Sequence, residues 1–364
     1  MGIIVFNRTL VLGLEHFIDK IGYQAKIYNK KNIDIKYLVA NKNSNSEYFS
    51  KKYNADVEVL PKNRFLTILL VIKNIIKYKP EFVEIYDTGF MFFIYLILSA
   101  IFRKKIIVIL RGQELQKCDR KRLNLNYLMH KVGVFLSFKY VIKEKNLIDE
   151  YIKNGFNEKK YIEIHNAIPM PTELLEGDKD IDLLYLNSIR KERKAWFLIN
   201  VIKKILELKP NLKVVMTGFN TLDNLDNSFD PDQEYKILDF IKANNLSEKI
   251  KVKGFVKNSR EYHSRAKIFL FPADIVFLNY SLLESMSYGA VPLVSNGEGA
   301  EKIVNEANGY ILPLDEEAWV NTIIELLDNP NLLEKKSEAA ISTVKKQYSM
   351  EAWFEQMMSA RSRS

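Results

Sequence analysis

The residues with the clearest potential for chemistry lie in the segment Ile268–Pro313, where a strand, a loop, a helix, a second strand, a second loop and a third strand are predicted in turn. The predicted helix begins at Tyr280-Ser281 and carries a single acid, Glu284, one turn in. The Ser281 hydroxyl can cap backbone amides there, and the positive end of the helix dipole favours a phosphate or a polyol. After the next strand, the glycines of Asn296–Gly299 would let backbone approach a ligand closely. Two such loops beside one carboxylate predict a sugar-nucleotide pocket.

Basic residues cluster in another loop, Asn187–Lys194, which follows a predicted strand. Four of its eight residues are cations, and cations can form charge-assisted hydrogen bonds with a diphosphate. A solvated surface loop would have the same composition, so both interpretations remain open. What favours the phosphate is the position at the carboxyl end of a strand, where doubly wound folds bind ligands. A further loop, Thr217–Asn220, holds the single glycine Gly218 and is weaker support.

These loops need a sheet to hold them, and short β-branched runs alternate with helical stretches almost throughout the chain. The runs are continuously apolar, which is typical of parallel strands covered by helices on both faces. The helices between them include Trp196–Leu208 and Glu234–Ala243. The predicted strands are Phe82–Tyr86, Lys105–Leu110, Tyr140–Ile142, Tyr161–Ile164, Asp182–Leu186, Lys213–Met216, Lys249–Val252, Ile268–Phe271 and Val291–Ser295. The predicted fold class is α/β, with doubly wound, Rossmann-like domains.

The length of 364 residues exceeds what one hydrophobic core usually holds, which predicts two domains. Prolines and acidic residues in Pro169–Asp180 indicate a linker. We therefore expect an N-terminal domain at residues 1–170 and a C-terminal domain, which would hold the sugar-nucleotide pocket, at residues 171–348. Residues 349–364 would form a C-terminal helix and tail.

Composition limits the functional class. The chain is 47% apolar and 27% charged, as folded proteins usually are. A single cysteine excludes an intramolecular disulfide and fits a reducing cytoplasm. No export signal is recognised at the N-terminus. The longest apolar run, Phe90–Phe102, is shorter than the roughly 20 residues that span a bilayer.

Charge is unevenly distributed, which predicts an anionic partner for the first domain. Residues 1–170 contain 29 Lys and Arg against 16 Asp and Glu, whereas the remainder contains 25 against 29. The chain lacks zinc-finger, RNP-like and Arg-rich motifs, so we expect no nucleic acid; an anionic membrane surface fits better. The segment Arg64–Lys79 is either an interfacial helix or a core helix with basic ends, and both interpretations remain open. For Phe90–Phe102 we favour a core helix.

Metal and nucleophile chemistry have little support. The histidines, His16, His130, His165 and His263, are scattered, and no Walker loop, CxxC pair or Gly-x-Ser-x-Gly elbow occurs. A glycosidase needs two facing carboxylates. Asp274 and Glu284 flank the same loop, but nothing in the sequence makes them face each other. Transfer is therefore favoured over hydrolysis.

The C-terminal half resembles the family-4 retaining glycosyltransferases, which have the GT-B architecture. The family's C-terminal motifs occur in the same order here, as FLFPAD, NYSLLESMSYGAVPLVS, GEGAEKIV and NGYILP. The family segment that binds the donor diphosphate is resembled by YLNSIRKERKAWFLI. The resemblance covers residues 80–360 and is most specific in the second domain. It implies two Rossmann-like domains facing across a cleft, with the C-terminal helix returning toward the first. It also implies a UDP- or GDP-linked sugar as substrate, without a metal or other cofactor.

The resemblance assigns roles to particular residues. Glu284 matches the second glutamate of the family's Glu-(seven residues)-Glu motif and would hold the donor's ribose hydroxyls. Lys194, with Arg190 and Arg193, would neutralise the diphosphate. The catalytic residues would be Glu284, Lys194 and Arg111. Further donor contacts are expected from Gly13, Gly218, Phe255, Val256, Tyr280, Ser281 and Leu282.

Three departures from the family pattern affect the sugar site. Val276 occupies the position of the first glutamate, and Asp274 is the nearest substitute. Ser188 replaces the family arginine, for which Arg190 or Arg193 would substitute. Arg111 stands where the family has a histidine. An arginine cannot serve as a general base, but it can clamp a sugar, the donor phosphate or an anionic acceptor.

The implied function is transfer of a hexose-type sugar, with retention, from a nucleotide sugar to an acceptor that is either a free or a lipid-linked saccharide. The product would be a surface polysaccharide or glycolipid, made by a cytoplasmic enzyme peripheral on the inner face of the membrane. Two alternatives remain. An inactive GT-B partner subunit is supported by Val276, and a sugar-nucleotide epimerase can share the two-domain shape. The oligomeric state is not predicted.

Overall fold

The computed structural model describes residues 8–14, 19–40, 46–86, 90–110, 125–143, 145–172, 179–223 and 229–362. The chain forms two compact units. The first unit contains residues 1–169 together with 350–364, and the second contains residues 170–349. Each unit is built on its own parallel sheet.

The first unit has a seven-stranded sheet among the described residues, in the order β3-β2-β1-β4-β5-β6-β7. Every neighbouring pair is parallel. Side chains alternate between the faces of a strand: Leu10 and Leu12 are buried in one core cluster and Val11 in another. The strands are β1 (Thr9–Leu14), β2 (Ile35–Ala40), β3 (Asp56–Leu60), β4 (Phe82–Ile85), β5 (Lys105–Ile109), β6 (Lys139–Ile142) and β7 (Tyr161–Glu163).

Helices cover both faces of this sheet. Among the residues described before the linker, the α-helices are α1 (Asp19–Lys30), α2 (Ser46–Tyr53), α3 (Arg64–Tyr78), α4 (Phe90–Ile101), α5 (Leu125–Leu136) and α6 (Lys145–Lys153). One core cluster holds residues of α1 and α2 with the C-terminal helix α13 (Met350–Ser362), and the other holds residues of α3 to α6. Both sheet faces are therefore buried, as the continuously apolar strands predict.

A buried ion pair fixes α13 to the first unit. The Arg361 guanidinium donates to the Glu84 carboxylate over 2.6 Å, and both side chains are almost completely buried. The Tyr28 hydroxyl donates to the same carboxylate over 2.8 Å. Because Glu84 lies on the central strand β4, this contact joins the last helix of the chain to the middle of the sheet.

The second unit has a six-stranded sheet among the described residues, in the order β10-β9-β8-β11-β12-β13, again entirely parallel. Counted from the start of the unit, this order is 3-2-1-4-5-6, which is that of a Rossmann domain. The strands are β8 (Ile181–Leu186), β9 (Val214–Thr217), β10 (Ile250–Val252), β11 (Ala266–Phe271), β12 (Val291–Ser295) and β13 (Tyr310–Leu312).

The helices of the second unit lie on both sides of its sheet. Those contributing to the main core cluster are α7 (Ala195–Leu208), α8 (Pro231–Ala243) and α11 (Glu316–Asp328). The helices α9 (Ser259–Arg265), α10 (Tyr280–Ser287) and α12 (Pro330–Thr343) contact one another or the strands β8, β11 and β12. The predicted class, α/β with two doubly wound sheets, is confirmed. In such sheets a ligand site is expected beyond the carboxyl ends of β8 and β11, where the strand order reverses.

Two apolar segments of the first unit now have defined surroundings. In α3, Val71 and Ile75 are buried while Phe65 and Ile76 are exposed, so this helix has an apolar face on the core and another on the surface. In α4 the middle of the helix is buried, which confirms the core interpretation of Phe90–Phe102 there. Among the described residues, no helix combines the length and the hydrophobicity needed to cross a bilayer.

The buried ion pair makes a stability prediction. Arg361→Met leaves the Glu84 carboxylate charged and buried without its cation, which usually costs about 3–5 kcal/mol of unfolding free energy. We expect a lower urea midpoint for unfolding, measured by circular dichroism and tryptophan fluorescence.

The matched control is Lys30→Ala, which breaks an exposed pair between Lys30 of α1 and Glu351 of the same α13. Surface pairs contribute about 0–1 kcal/mol, so this variant should remain close to the wild type. Equal midpoints for the two variants would contradict the role assigned to Arg361.

Candidate functional site

A cavity of about 950 Å³ lies in the second unit, beyond the carboxyl ends of β8 and β9 and at the start of α10. Its size is at the upper end of ordinary small-ligand pockets, about 300–1,000 Å³. It is lined by Leu186, Asn187, Ser188, Arg193, Thr217, Gly218, Asn220, Phe229, Gly254, Phe255, Val256, Lys257, Ser259, Asn279, Tyr280, Ser281 and Glu284.

The start of α10 is capped by Asn279. Asn279 has extended backbone geometry, and its side-chain oxygen accepts a hydrogen bond from the Leu282 amide over 3.0 Å. The prediction that Ser281 caps this helix is wrong, because Ser281 is already inside the first turn. Its hydroxyl instead donates to the Leu186 carbonyl over 2.5 Å, which ties the helix to the end of β8.

Glu284 lies one turn into α10 and its carboxylate is two-thirds buried. Two groups of α9 approach its Oε2 atom: the Ser259 hydroxyl at 3.4 Å and the His263 Nε2 atom at 3.3 Å. Tyr280 lies on the same turn, and burial, with a smaller contribution from the Glu284 charge, raises the pKa of its hydroxyl. Glu284 therefore presents a held carboxylate at the cavity wall.

The loop after β8 supplies the guanidinium of Arg193 to the cavity. This group donates to the Asn187 side-chain oxygen. Burial lowers the pKa of Arg193, but a guanidinium stays charged in proteins. Arg190 does not line the cavity itself. Its guanidinium stacks 3.5 Å above the ring of Phe229, which does line it.

Lys194 is engaged with an acid. Its ammonium lies 2.8 Å from the Asp274 carboxylate, and it is not part of the cavity wall. The Asp274 amide donates to the Glu192 carbonyl over 2.8 Å, which joins the loop after β11 to the loop after β8. The carboxylate predicted to substitute for the missing glutamate is thus paired with the lysine predicted to hold the diphosphate.

Val276, at the position of the family's first glutamate, is completely buried. Its amide donates to the Glu298 carbonyl over 3.0 Å. The glycines of the loop 296–299 serve this same contact, because a Cβ at Gly297 would lie 2.1 Å from the Ala273 carbonyl oxygen. These glycines therefore allow two loops to pack, and a contact between them and a ligand stays a prediction.

Gly218 allows a similar close approach at the cavity itself. Its φ of +94° is strained for other residues, and a Cβ there would lie 1.9 Å from the Asn187 carbonyl oxygen. The loops after β8 and β9 consequently pack backbone to backbone beneath the cavity.

The structure separates the predicted site residues into those that line the cavity and those that do not. Those that line the cavity are Arg193, Gly218, Phe255, Val256, Tyr280, Ser281 and Glu284. Arg190 and Lys194 lie on the adjoining loop, whereas Leu282 is completely buried and faces the core. Gly13 lies on β1 of the first unit, and Arg111 falls outside the described residues.

Several residues that line the cavity, or contact its wall from behind, are not among the predicted site residues. Asn279 could have been found, because asparagine directly before a predicted helix is a favoured cap. Ser259 and His263 are four residues apart, the spacing that places two side chains on one helix face, but their helix was not predicted. Nothing local marks Phe229. Among the described residues, no group of three His, Cys, Asp or Glu is arranged to hold a metal ion.

The chain is similar to known glycosyltransferases. Residues 170–343 match the family model described as glycosyl transferases group 1. An uncharacterized glycosyltransferase of Methanocaldococcus jannaschii is 23% identical over 184 residues. That match covers 44% of this chain and 42% of the relative, so the chain spans less than half the length of the curated protein it matches.

Solved structures match over nearly the whole chain. A glycosyltransferase of Rickettsia africae is 16% identical with a TM-score of 0.73, covering 98% of this chain and 100% of its own. Anabaena HepE in complex with UDP and glucose is 13% identical with a TM-score of 0.68, covering 98% and 99%. At these identities the likeness concerns the fold, and it confirms the predicted GT-B fold class.

Proposed function

We propose that the protein transfers a sugar from a nucleotide-sugar donor to a saccharide acceptor, with the donor nucleotide bound in the cavity of the second unit. The observation that carries this proposal is the convergence of Glu284, Arg193 and the exposed ring of Phe255 on one cavity at the strand-order reversal. The match of residues 170–343 to a glycosyltransferase family model supports it, as does the presence of UDP in the related HepE structure.

Each part of a nucleoside diphosphate has a complementary group at this cavity. The ribose hydroxyls would donate to the Glu284 carboxylate, since hydrogen bonds to an ionised acceptor are strong. The diphosphate would accept from Arg193 and from the backbone at the positive end of α10. The base would lie against Phe255 and Val256, whose apolar surface is open to the cavity.

In the proposed reaction, the nucleoside diphosphate leaves the anomeric carbon of the sugar. Negative charge grows on the leaving phosphate as the bond to the anomeric carbon breaks, and fixed cations and amide dipoles stabilise it without rearranging. Lys194 would join them by exchanging its contact with Asp274 for the diphosphate. No metal ion is required in this scheme. The acceptor hydroxyl attacks on the face of the leaving group, which takes up its proton, and the anomeric configuration is retained as in family 4.

A surface of the first unit supports a membrane-bound acceptor. The helices α3, α4 and α5 are neighbours on one side of the sheet. Their outward faces carry large exposed apolar side chains, namely Phe65, Leu66, Leu69 and Ile76 of α3, Phe90 and Ile101 of α4, and Leu128, Val132 and Phe135 of α5. We call these residues the apolar face.

The charged side chains of these three helices are all positive, and the acid Glu58 of β3 lies beside Lys73. The three helices contain no acidic residue, while Arg64, Lys73 and Lys77 lie in α3 and Lys131 in α5. Apolar side chains flanked by cations complement an anionic bilayer, in which the rings enter the acyl boundary and the cations meet phosphate headgroups. We therefore propose a peripheral position on the inner face of the cell membrane and a lipid-linked saccharide as acceptor.

A second candidate function is that of an inactive partner subunit. The observation in its favour is the burial of Val276, which leaves no carboxylate at the position of the first glutamate. Such a protein would bind the nucleotide without turnover. The predicted contributions of Gly13 and Arg111 belong to the first unit and stay predictions.

Glu284→Gln tests the nucleotide site. The substitution keeps the shape of the side chain and removes its charge, and each hydrogen bond to a charged group contributes about 1.5–3 kcal/mol. We expect binding of UDP or GDP, measured by calorimetry, to weaken at least about 100-fold if both ribose hydroxyls are held. Turnover with a panel of UDP- and GDP-sugars should be abolished.

Glu261→Gln is the matched control. Glu261 is a more exposed acid on the adjacent helix α9, paired with Arg265 at 3.7 Å. This variant should bind and turn over like the wild type. Wild-type affinity and turnover in Glu284→Gln would remove the proposed site, and nucleotide binding without any turnover in the wild type would favour the inactive partner.

The apolar face predicts sedimentation with vesicles that contain phosphatidylglycerol, and weaker sedimentation at high salt because exposed charges are screened. In Phe65→Ser/Leu69→Ser, two side chains lose burial worth about 1.5–3 kcal/mol each. Vesicle affinity should therefore fall at least about tenfold.

Leu208→Ser is the control, because Leu208 is equally exposed but lies on α7 of the second unit. It should sediment like the wild type. Equal binding to neutral phosphatidylcholine vesicles, or no loss in the double variant, would rule out this membrane surface.

A further inference from the structure

The helix α9 carries a histidine that the nucleotide-site scheme leaves without a role. His263 is completely buried between α9 and α10. Its Nδ1 atom lies 2.5 Å from the Ser285 hydroxyl, which is also buried, and its Nε2 atom lies 3.3 Å from Glu284 Oε2. The ring thus lies between two successive residues of the helix that forms the cavity wall.

The contact with Ser285 decides which nitrogen carries the proton. If the Ser285 hydroxyl donates to Nδ1, the neutral ring bears its hydrogen on Nε2 and directs it toward the Glu284 carboxylate. The opposite arrangement would place the Nε2 lone pair against a negative oxygen, which is repulsive. The first arrangement is therefore favoured, and Ser285 sets the orientation of the ring.

The two α9 contacts fall on the same oxygen of Glu284. Ser259, one turn before His263, donates from its hydroxyl to Oε2 over 3.4 Å. Within the described residues, both contacts leave Oε1 available to the cavity. One face of α9 therefore contacts one oxygen of the Glu284 carboxylate and leaves the other oxygen for a ligand.

The histidine contact is close but not yet a well-formed hydrogen bond. The 3.3 Å separation is within ion-pair reach, yet in the described part of the chain Nε2 has no hydrogen-bond partner of good geometry. The distance establishes that the two groups are neighbours, and the hydrogen bond is missing because its angle is unfavourable. Hydrogen bonds at such sites are often poorly aligned without ligand and tighten in the complex.

We propose that His263 is a positioning residue, which orients the Glu284 carboxylate toward the ribose hydroxyls of the donor nucleotide. This inference rests on the proposed nucleotide site. Ser285 fixes the ring, the ring and Ser259 hold Oε2, and Oε1 accepts from the ribose. A purely structural histidine would instead fill space beside Phe269, whose ring lies 6.1 Å away.

The test uses two substitutions whose side-chain amides take the positions of different ring nitrogen atoms. In His263→Gln the side-chain amide reaches the position of Nε2, whereas in His263→Asn it reaches only that of Nδ1. We expect affinity for UDP or GDP within about threefold of wild type for His263→Gln and about tenfold weaker for His263→Asn, the size of one hydrogen bond to a charged group. In turnover assays the loss should appear in KM for the nucleotide sugar more than in kcat.

The 2′,3′-dideoxynucleotide is the decisive probe, because it lacks the hydroxyls that Glu284 would hold. Its affinity should be the same for wild type, His263→Gln and His263→Asn. Ser285→Ala, a smaller truncation on the other side of the ring, should weaken binding of the ribonucleotide about threefold and leave the dideoxynucleotide unchanged. It remains informative if His263→Asn does not fold.

The inference is overturned if each variant loses the same affinity for the ribonucleotide and for the dideoxynucleotide, in proportion to its fall in melting temperature. His263 would then have only a structural role. Equal affinities of His263→Gln and His263→Asn for the ribonucleotide would overturn it as well. If the wild-type protein binds neither UDP nor GDP, the proposed function fails first and this inference fails with it. Wild-type binding with no preference for ribose over dideoxyribose would refute the positioning role alone.

Discussion

The site depends on the contact between the start of α10 and the end of β8. The Ser281 hydroxyl bonds to the Leu186 carbonyl, and this brings the first turn of the helix to the point where the strand order reverses. Glu284 follows within the same turn and is held from α9. The position of the acid relative to the cations after β8 is therefore a property of the backbone, and it exists before any ligand binds.

Close packing between loops orders the edge of the sheet that borders the cavity. Gly218 and Gly297 allow backbones to approach more closely than any side chain would permit. The paired Lys194 and Asp274 neutralise each other across two loops. A bound diphosphate would compete with an acid for its lysine, which provides a physical reason why binding of the donor could rearrange the loop after β11.

The sequence predicted the elements of this site better than their contacts. Continuously apolar strands indicated parallel sheets, and the residues of α10 and of the β8 loop were identified because they are contiguous in the chain. The strands β1, β2 and β3 of the first unit all escaped prediction, and in the edge strand β3 the acids Asp56 and Glu58 interrupt the apolar run. Partnerships such as those of His263 or Phe229 depend on segments far apart in sequence, so no local pattern could reveal them. A serine at the predicted helix start favours Ser281 as the cap, but Asn279 lies directly before the helix and forms the cap.

The most direct measurement is a structure of the protein crystallised with UDP or GDP. We expect both ribose hydroxyls to lie within hydrogen-bond distance of Glu284, the diphosphate to contact Arg193, and the base to lie against Phe255. A nucleotide bound elsewhere, or bound in this cavity with its ribose turned away from Glu284, would rule out the proposed nucleotide site.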